Sequence, residues 1–206
     1  MNPSVRAPQA ALKPVLALVL LAPLVYLVWA AATDRLGANP AQALVRASGD
    51  WSLRWLCLAL AITPLRQGLG WPTLARLRRM VGLFAATYVT LHALAYAGFD
   101  MGLDWRAIVN DLPKRPFVWV GFLAWLVLML LAATSWDGAV RWLGGRRWQA
   151  LHRSVYAVGL LALLHFYWMR AGKNDFAEVW VYAGVIALLL AWRVAWFMRK
   201  NNSMAC

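Results

Sequence analysis

The chain is dominated by apolar runs of about 18–22 residues, the length a helix needs to cross a hydrocarbon core of about 30 Å. Six such spans are expected, at about 14–32, 51–69, 81–99, 116–134, 149–169 and 177–197. Inside a bilayer each segment must satisfy its own backbone N–H and C=O groups, so runs of this length specify helices. The joining segments are short, which makes consecutive helices antiparallel neighbours. The expected fold is therefore all-α, a six-span transmembrane helical bundle. It divides into an N-terminal tail at 1–13, the transmembrane domain at 14–197 and a C-terminal tail at 198–206. The first run resembles a signal peptide in apolarity. It ends in TDRLG, with no small-x-small cleavage site leading into a soluble domain, so it is read as a retained span.

Composition closes off the soluble alternatives. Of 206 residues, 63% are hydrophobic and 14% charged, more apolar surface than a water-soluble domain of this size can hide. The net charge of +13 would suit nucleic acid, but the basic residues cluster in short loops between apolar runs and read first as topology signals. With the N-terminus cytoplasmic, thirteen Lys and Arg fall on the cytoplasmic side against eight outside, and seven of the eight acids lie outside. Both termini are expected in the cytoplasm of a multi-pass membrane protein, with lipid and not nucleic acid as its surroundings.

Tryptophan concentrates at span ends, at Trp51, Trp71, Trp105, Trp136, Trp148, Trp168, Trp180 and Trp196, as an aromatic belt would. Pro23 and Pro64 lie within apolar runs and are expected to kink them, and Pro116 suits a helix start. Cys57 lies in an apolar run and Cys206 ends the chain; no CxxC or Cys/His cluster suggests iron–sulfur or structural zinc.

All three histidines, His92, His152 and His165, lie in or at the edge of apolar runs. An ionisable ring there is costly and is usually kept for a function, although one alone can be a hydrogen-bonded packing residue. His92 to Asp100 and His165 to Lys173 are each eight residues, or roughly 12 Å of helix, so the two rings lie at similar depth on different helices. Two axial ligands on opposite faces of one haem require this. His152 lies about 20 Å further in than His165 by helical rise and is turned from it by about 140° on an ideal helix. It serves either a second, inner site or an interfacial role among headgroups. Ala85 and Gly159 could leave room for a macrocycle or simply permit close helix packing. No carboxylate lies within a span, which disfavours multi-ligand zinc or iron sites and proton relays. Nucleotide-binding glycine loops are absent, so any flavin or nicotinamide domain is expected on another polypeptide.

LGANP at 36–40, ITPL at 62–65, RLRRMVGL at 76–83, TLHALAY at 90–96, RPF at 115–117, RRWQALHRSVY at 146–156 and LLHFYW around His165 act together. In combination they resemble the MsrQ family, haem-binding membrane subunits of bacterial methionine sulfoxide reductase systems. That family lies within the ferric-reductase-like transmembrane group, with the NADPH oxidases. The resemblance implies haem b held between helices three and five, one or two per chain. It implies His92 and His165 at the outer haem and His152 at an inner one. The oxidases carry two histidines on each of these helices. Here helix five keeps both, whereas Arg78 stands fourteen positions before His92. An inner haem would use His152 with water or another residue, or would not exist; Arg78, Arg79, Arg147 and Arg153 are candidate contacts for propionates, a quinone or a flavin there, though such arginines read first as solvated topology signals.

The resemblance further implies an electron conduit from the quinone pool or a cytosolic flavin reductase to MsrP, a periplasmic molybdopterin enzyme that repairs oxidised methionine. The sulfoxide-reducing site would then be on that partner. FMN is associated with the family, without a flavin motif visible here. Two alternatives stay open: a stand-alone ferric reductase, and a non-redox transporter or assembly protein with structural histidines.

Overall fold

The computed structural model describes residues 6–172 and 174–202. The expected tails at 1–13 and 198–206 fall partly outside the described residues; Lys173 and Cys206 fall wholly outside. The order of elements is α1 (Arg6–Ala32), α2 (Pro40–Leu69), α3 (Leu74–Ala95), a π turn (Tyr96–Asp100), α4 (Trp105–Asp111), α5 (Pro116–Ala133), α6 (Asp137–Leu143), α7 (Gly145–His152), α8 (Val155–Ala171) and α9 (Ala177–Asn202). No strand occurs among the described residues.

Four segments are long and apolar enough to cross a membrane: Leu12–Ala32, Leu74–Asp100, Pro116–Ala133 and Ala177–Arg199. They match the expected first, third, fourth and sixth spans. The other two are helical but differ in kind. α2 runs for 30 residues, with Arg46, Asp50, Arg54 and Arg66 along it. The expected fifth span is broken: α7 ends at His152, a turn follows, and α8 restarts at Val155 for 17 residues. An ideal-helix rotation from His152 to His165 therefore does not apply. Large apolar side chains such as Leu18, Leu126, Leu188 and Val194 lie exposed on the helix surfaces. Such faces suit hydrocarbon rather than water.

The chain forms two compact units. The first holds residues up to Ala59 together with Pro72–Pro113, and the second holds Leu60–Trp71 with Lys114 onward. In the first, α1 and α3 pack together around Tyr88, the largest fully buried side chain. Trp55 of α2 sets its ring edge-on to Tyr88, centroids 6.2 Å apart, and stacks on Trp51. Trp51 is thus partly drawn into packing, while Trp71, Trp105, Trp136, Trp180 and Trp196 stay exposed as belt residues do. Cys57 is a buried free thiol.

In the second unit α8 packs between α5 and α9. Pro116 opens α5 at its first turn, where its missing N–H costs nothing. Gly159 packs by ordinary contact: a Cβ there would lie 3.5 Å from Leu60 and 3.9 Å from Ile186. Arg170 at the end of α8 reaches Asp175 at 2.9 Å and Glu178 at 2.5 Å, tying α8 to the start of α9.

Candidate functional site

Each histidine is held in its own unit by a specific polar contact. In the first unit, His92 Nδ1 lies 2.8 Å from the carbonyl of Val45 on α2. A carbonyl only accepts, so Nδ1 carries the proton and the ring's lone pair sits on Nε2. Tyr88 precedes His92 by four residues on α3, and Tyr96 follows it by four at the start of the π turn. Tyr96 donates to Asp111 at 2.8 Å, and Asp111 is buried on the short α4. The helix bearing His92 is thus pinned on both sides of the ring. It ends immediately beyond in the π turn, a local winding that often accompanies functional positions.

In the second unit His165 repeats the arrangement. Its Nδ1 lies 2.7 Å from the carbonyl of Phe117, in the first turn of α5. The Phe117 ring meets the imidazole edge-on at 5.8 Å. Again the proton is on Nδ1 and the lone pair on Nε2. Hydrogen bonding of the non-ligating nitrogen to a carbonyl is what fixes tautomer and orientation in metal-bound histidines.

His152 is held differently. Its Nε2 lies 3.0 Å from Thr134 Oγ1, and that hydroxyl lies 2.8 Å from the Leu130 carbonyl. The hydroxyl has one proton, which the carbonyl takes. Nε2–H then donates to Oγ1, and the lone pair falls on Nδ1. Trp148 stacks on the ring at 4.0 Å and donates its own Nε1–H to the Thr134 carbonyl at 2.8 Å. A ligand role through Nε2 would require His152 to leave Thr134.

His165 is tied to the start of α5 and His152 to its end. Phe117 and Thr134 are seventeen residues apart, roughly 25 Å of helix, so the second unit holds its two histidines at separate levels. Arg78 is exposed in the first turns of α3, and Arg146, Arg147 and Arg153 are exposed around α7.

Among the described residues no group of three or more His, Cys, Asp or Glu comes together to hold a metal ion. A site built on one or two imidazoles, each preset for Nε2 donation, fits a macrocycle-bound iron instead. Trp55 Nε1 is a further buried donor, beside Tyr88 on the α3 face that carries His92.

Sequence reasoning missed two features. Arg193, within α9, donates to Tyr156 Oη and to the Leu60 carbonyl at 3.3 Å, and lies over the Tyr156 ring at 4.9 Å. A cation inside an apolar run was the available signal. The second is a pair of glycines. A Cβ on Gly49 would lie 3.1 Å from His92 Nδ1, and one on Gly121 would lie 2.7 Å from His165 Nδ1.

Residues 48–163 match the family described as ferric reductase like transmembrane component. The chain is 57% identical over 184 residues to the protein-methionine-sulfoxide reductase heme-binding subunit MsrQ of Polaromonas naphthalenivorans, covering 89% of this chain and 84% of that one. It is 52% identical over 191 residues to MsrQ of Bordetella pertussis, covering 92% of each. MsrQ of Ralstonia nicotianae is 52% identical over 182 residues, covering 88% of this chain and 84% of that one. No solved structure matches. The helical, membrane-embedded architecture, the ferric-reductase-like match and these identities agree, and the chain belongs to the MsrQ family within the ferric-reductase-like transmembrane proteins.

Proposed function

We propose that this chain is a haem b electron-transfer subunit of the bacterial inner membrane, with six spans and both termini cytoplasmic. It carries electrons from the quinone pool or a flavin donor to a periplasmic molybdopterin methionine sulfoxide reductase of the MsrP type. The observation that carries the reading is the shared state of His92 and His165. Each donates Nδ1–H to a backbone carbonyl and so presents the Nε2 lone pair that an axial ligand needs. Both are assigned as ligands of the outer haem, on their equal depth in the sequence. His152 and Arg78 are assigned to an inner site, which the Thr134 contact makes the weaker of the two. FMN and a cytosolic flavin reductase follow from family resemblance alone.

Haem supplies one-electron chemistry; the protein supplies ligands, an apolar surround and orientation. A reduced-minus-oxidised spectrum of the purified protein, expressed with haem supply, tests the reading. A b-type difference spectrum is expected; its absence sinks the proposal. A second reading, a stand-alone ferric reductase, draws on the description of the matched family. Reoxidation of the dithionite-reduced protein by MsrP but not by ferric chelates favours the first, and the reverse favours the second.

A further inference from the structure

The two carbonyls that receive the histidine protons share a local pattern. Val45 stands four residues before Gly49 on α2, and Phe117 stands four residues before Gly121 on α5. In an α-helix the carbonyl of residue i already accepts from the N–H of residue i+4. A second donor must reach the same oxygen from the side. Side chains lean toward the helix N-terminus, so the Cβ of residue i+4 leans back over that approach. With glycine at i+4 the approach is open, and in both units the imidazole lies in the opening. The same spacing serves two histidines on two different helices, one in each unit.

We propose that Gly49 and Gly121 are positioning residues for the haem ligands: each forms a notch in which the imidazole docks and donates Nδ1–H to the carbonyl four residues earlier. The inference rests on the ligand assignment proposed above. The fit is tightest at Gly121, where an added Cβ would meet Nδ1 at 2.7 Å and Cε1 at 2.8 Å. A methyl group there cannot be accepted unless the ring moves off the Phe117 carbonyl. At Gly49 both contacts would be 3.1 Å, so the ring must give by a few tenths of an ångström. A Nδ1–H donated to a carbonyl makes the imidazole a stronger electron donor, which favours ferric iron. Loss of the notch therefore raises the midpoint potential of the haem that the histidine holds.

The test uses the full-length protein in detergent. It measures haem-to-protein ratio, potentiometric midpoints and the low-temperature EPR spectrum of the oxidised form. Gly121→Ala is expected to lose the haem that His165→Ala loses, or to shift its midpoint positive with a changed largest g value. Gly49→Ala is expected to keep haem with a smaller shift in the same direction. Gly82→Ala, where a Cβ meets nothing within 4 Å, is expected to match the wild type. Alanine is the better helix former, so any loss at 49 or 121 runs against intrinsic propensity.

Should Gly121→Ala fail to accumulate, Gly49→Ala decides. Wild-type potential and EPR in Gly49→Ala, while His92→Ala loses haem, overturn the notch. So does lower accumulation with unchanged spectra in the surviving holoprotein. Full haem content in both His92→Ala and His165→Ala instead overturns the ligand assignment, and this inference with it.

Discussion

The Tyr88 hydroxyl bridges Leu24 and its own ladder partner on α1: it accepts from Leu24 N–H and donates to the Leu20 carbonyl, each at 2.9 Å. Those two backbone groups are four residues apart, the pair that bond to one another in an undisturbed helix. Pro23 lies between them, and proline opens a helix by removing a donor and crowding the carbonyl four residues earlier. A phenol from α3 thus takes both backbone groups at the turn that contains Pro23, where the sequence predicts a kink. Because unsatisfied backbone is costly in hydrocarbon, this contact fastens α1 to the helix that carries His92.

Tyr88→Phe is accordingly expected to destabilise the first unit by about 1–3 kcal/mol, the cost of leaving buried partners unsatisfied. The check is thermal or denaturant unfolding in detergent, beside Tyr26→Phe at an exposed site on α1. Equal stability of the two variants would remove the bridge from the account.

His92→Ala and His165→Ala should each abolish the outer haem, while His152→Ala leaves it largely intact. The measurement is haem per protein for the three variants and the wild type. Loss of all haem with His152→Ala and none with His165→Ala would reverse the proposed pairing.

Thr134 offers a finer probe of the inner end. Thr134→Val removes the acceptor of His152 Nε2–H and keeps the side-chain shape. It should cost about 1 kcal/mol of stability, typical of one net hydrogen bond, with outer-haem content unchanged. A loss of outer haem on this substitution would show that the two levels of the second unit are not independent.

Arg193 and Tyr156 should be energetically coupled. A double-mutant cycle with Arg193→Met and Tyr156→Phe is expected to return roughly 0.5–3 kcal/mol, the range for side chains in contact. Additive effects within error would mean that the guanidinium is not held by Tyr156.

Much of the helical plan was legible because length and apolarity alone decide it: Leu12–Ala32, Pro116–Ala133 and Ala177–Arg199 fall where the runs fall. The break after His152 was not, since neither proline nor glycine marks it and the polar His152, Arg153 and Ser154 read as the interfacial end of one span. The histidines were legible as expensive polar rings in hydrocarbon. Their partners were not, because Val45 is 47 residues from His92 and Phe117 is 48 from His165. A lone glycine at 49 or 121 has no local signature that separates it from ordinary helix packing. Only the contact, once formed, shows what its missing Cβ permits.

α5 supplies no histidine, yet it touches one at each end, His165 through Phe117 and His152 through Thr134. It therefore acts as a ruler. One residue inserted in its interior would part the two anchoring points by about 1.5 Å more and swing one about the axis by about 100°. The interval between the levels of the second unit is written in the length of a helix whose own side chains need take no part in the chemistry.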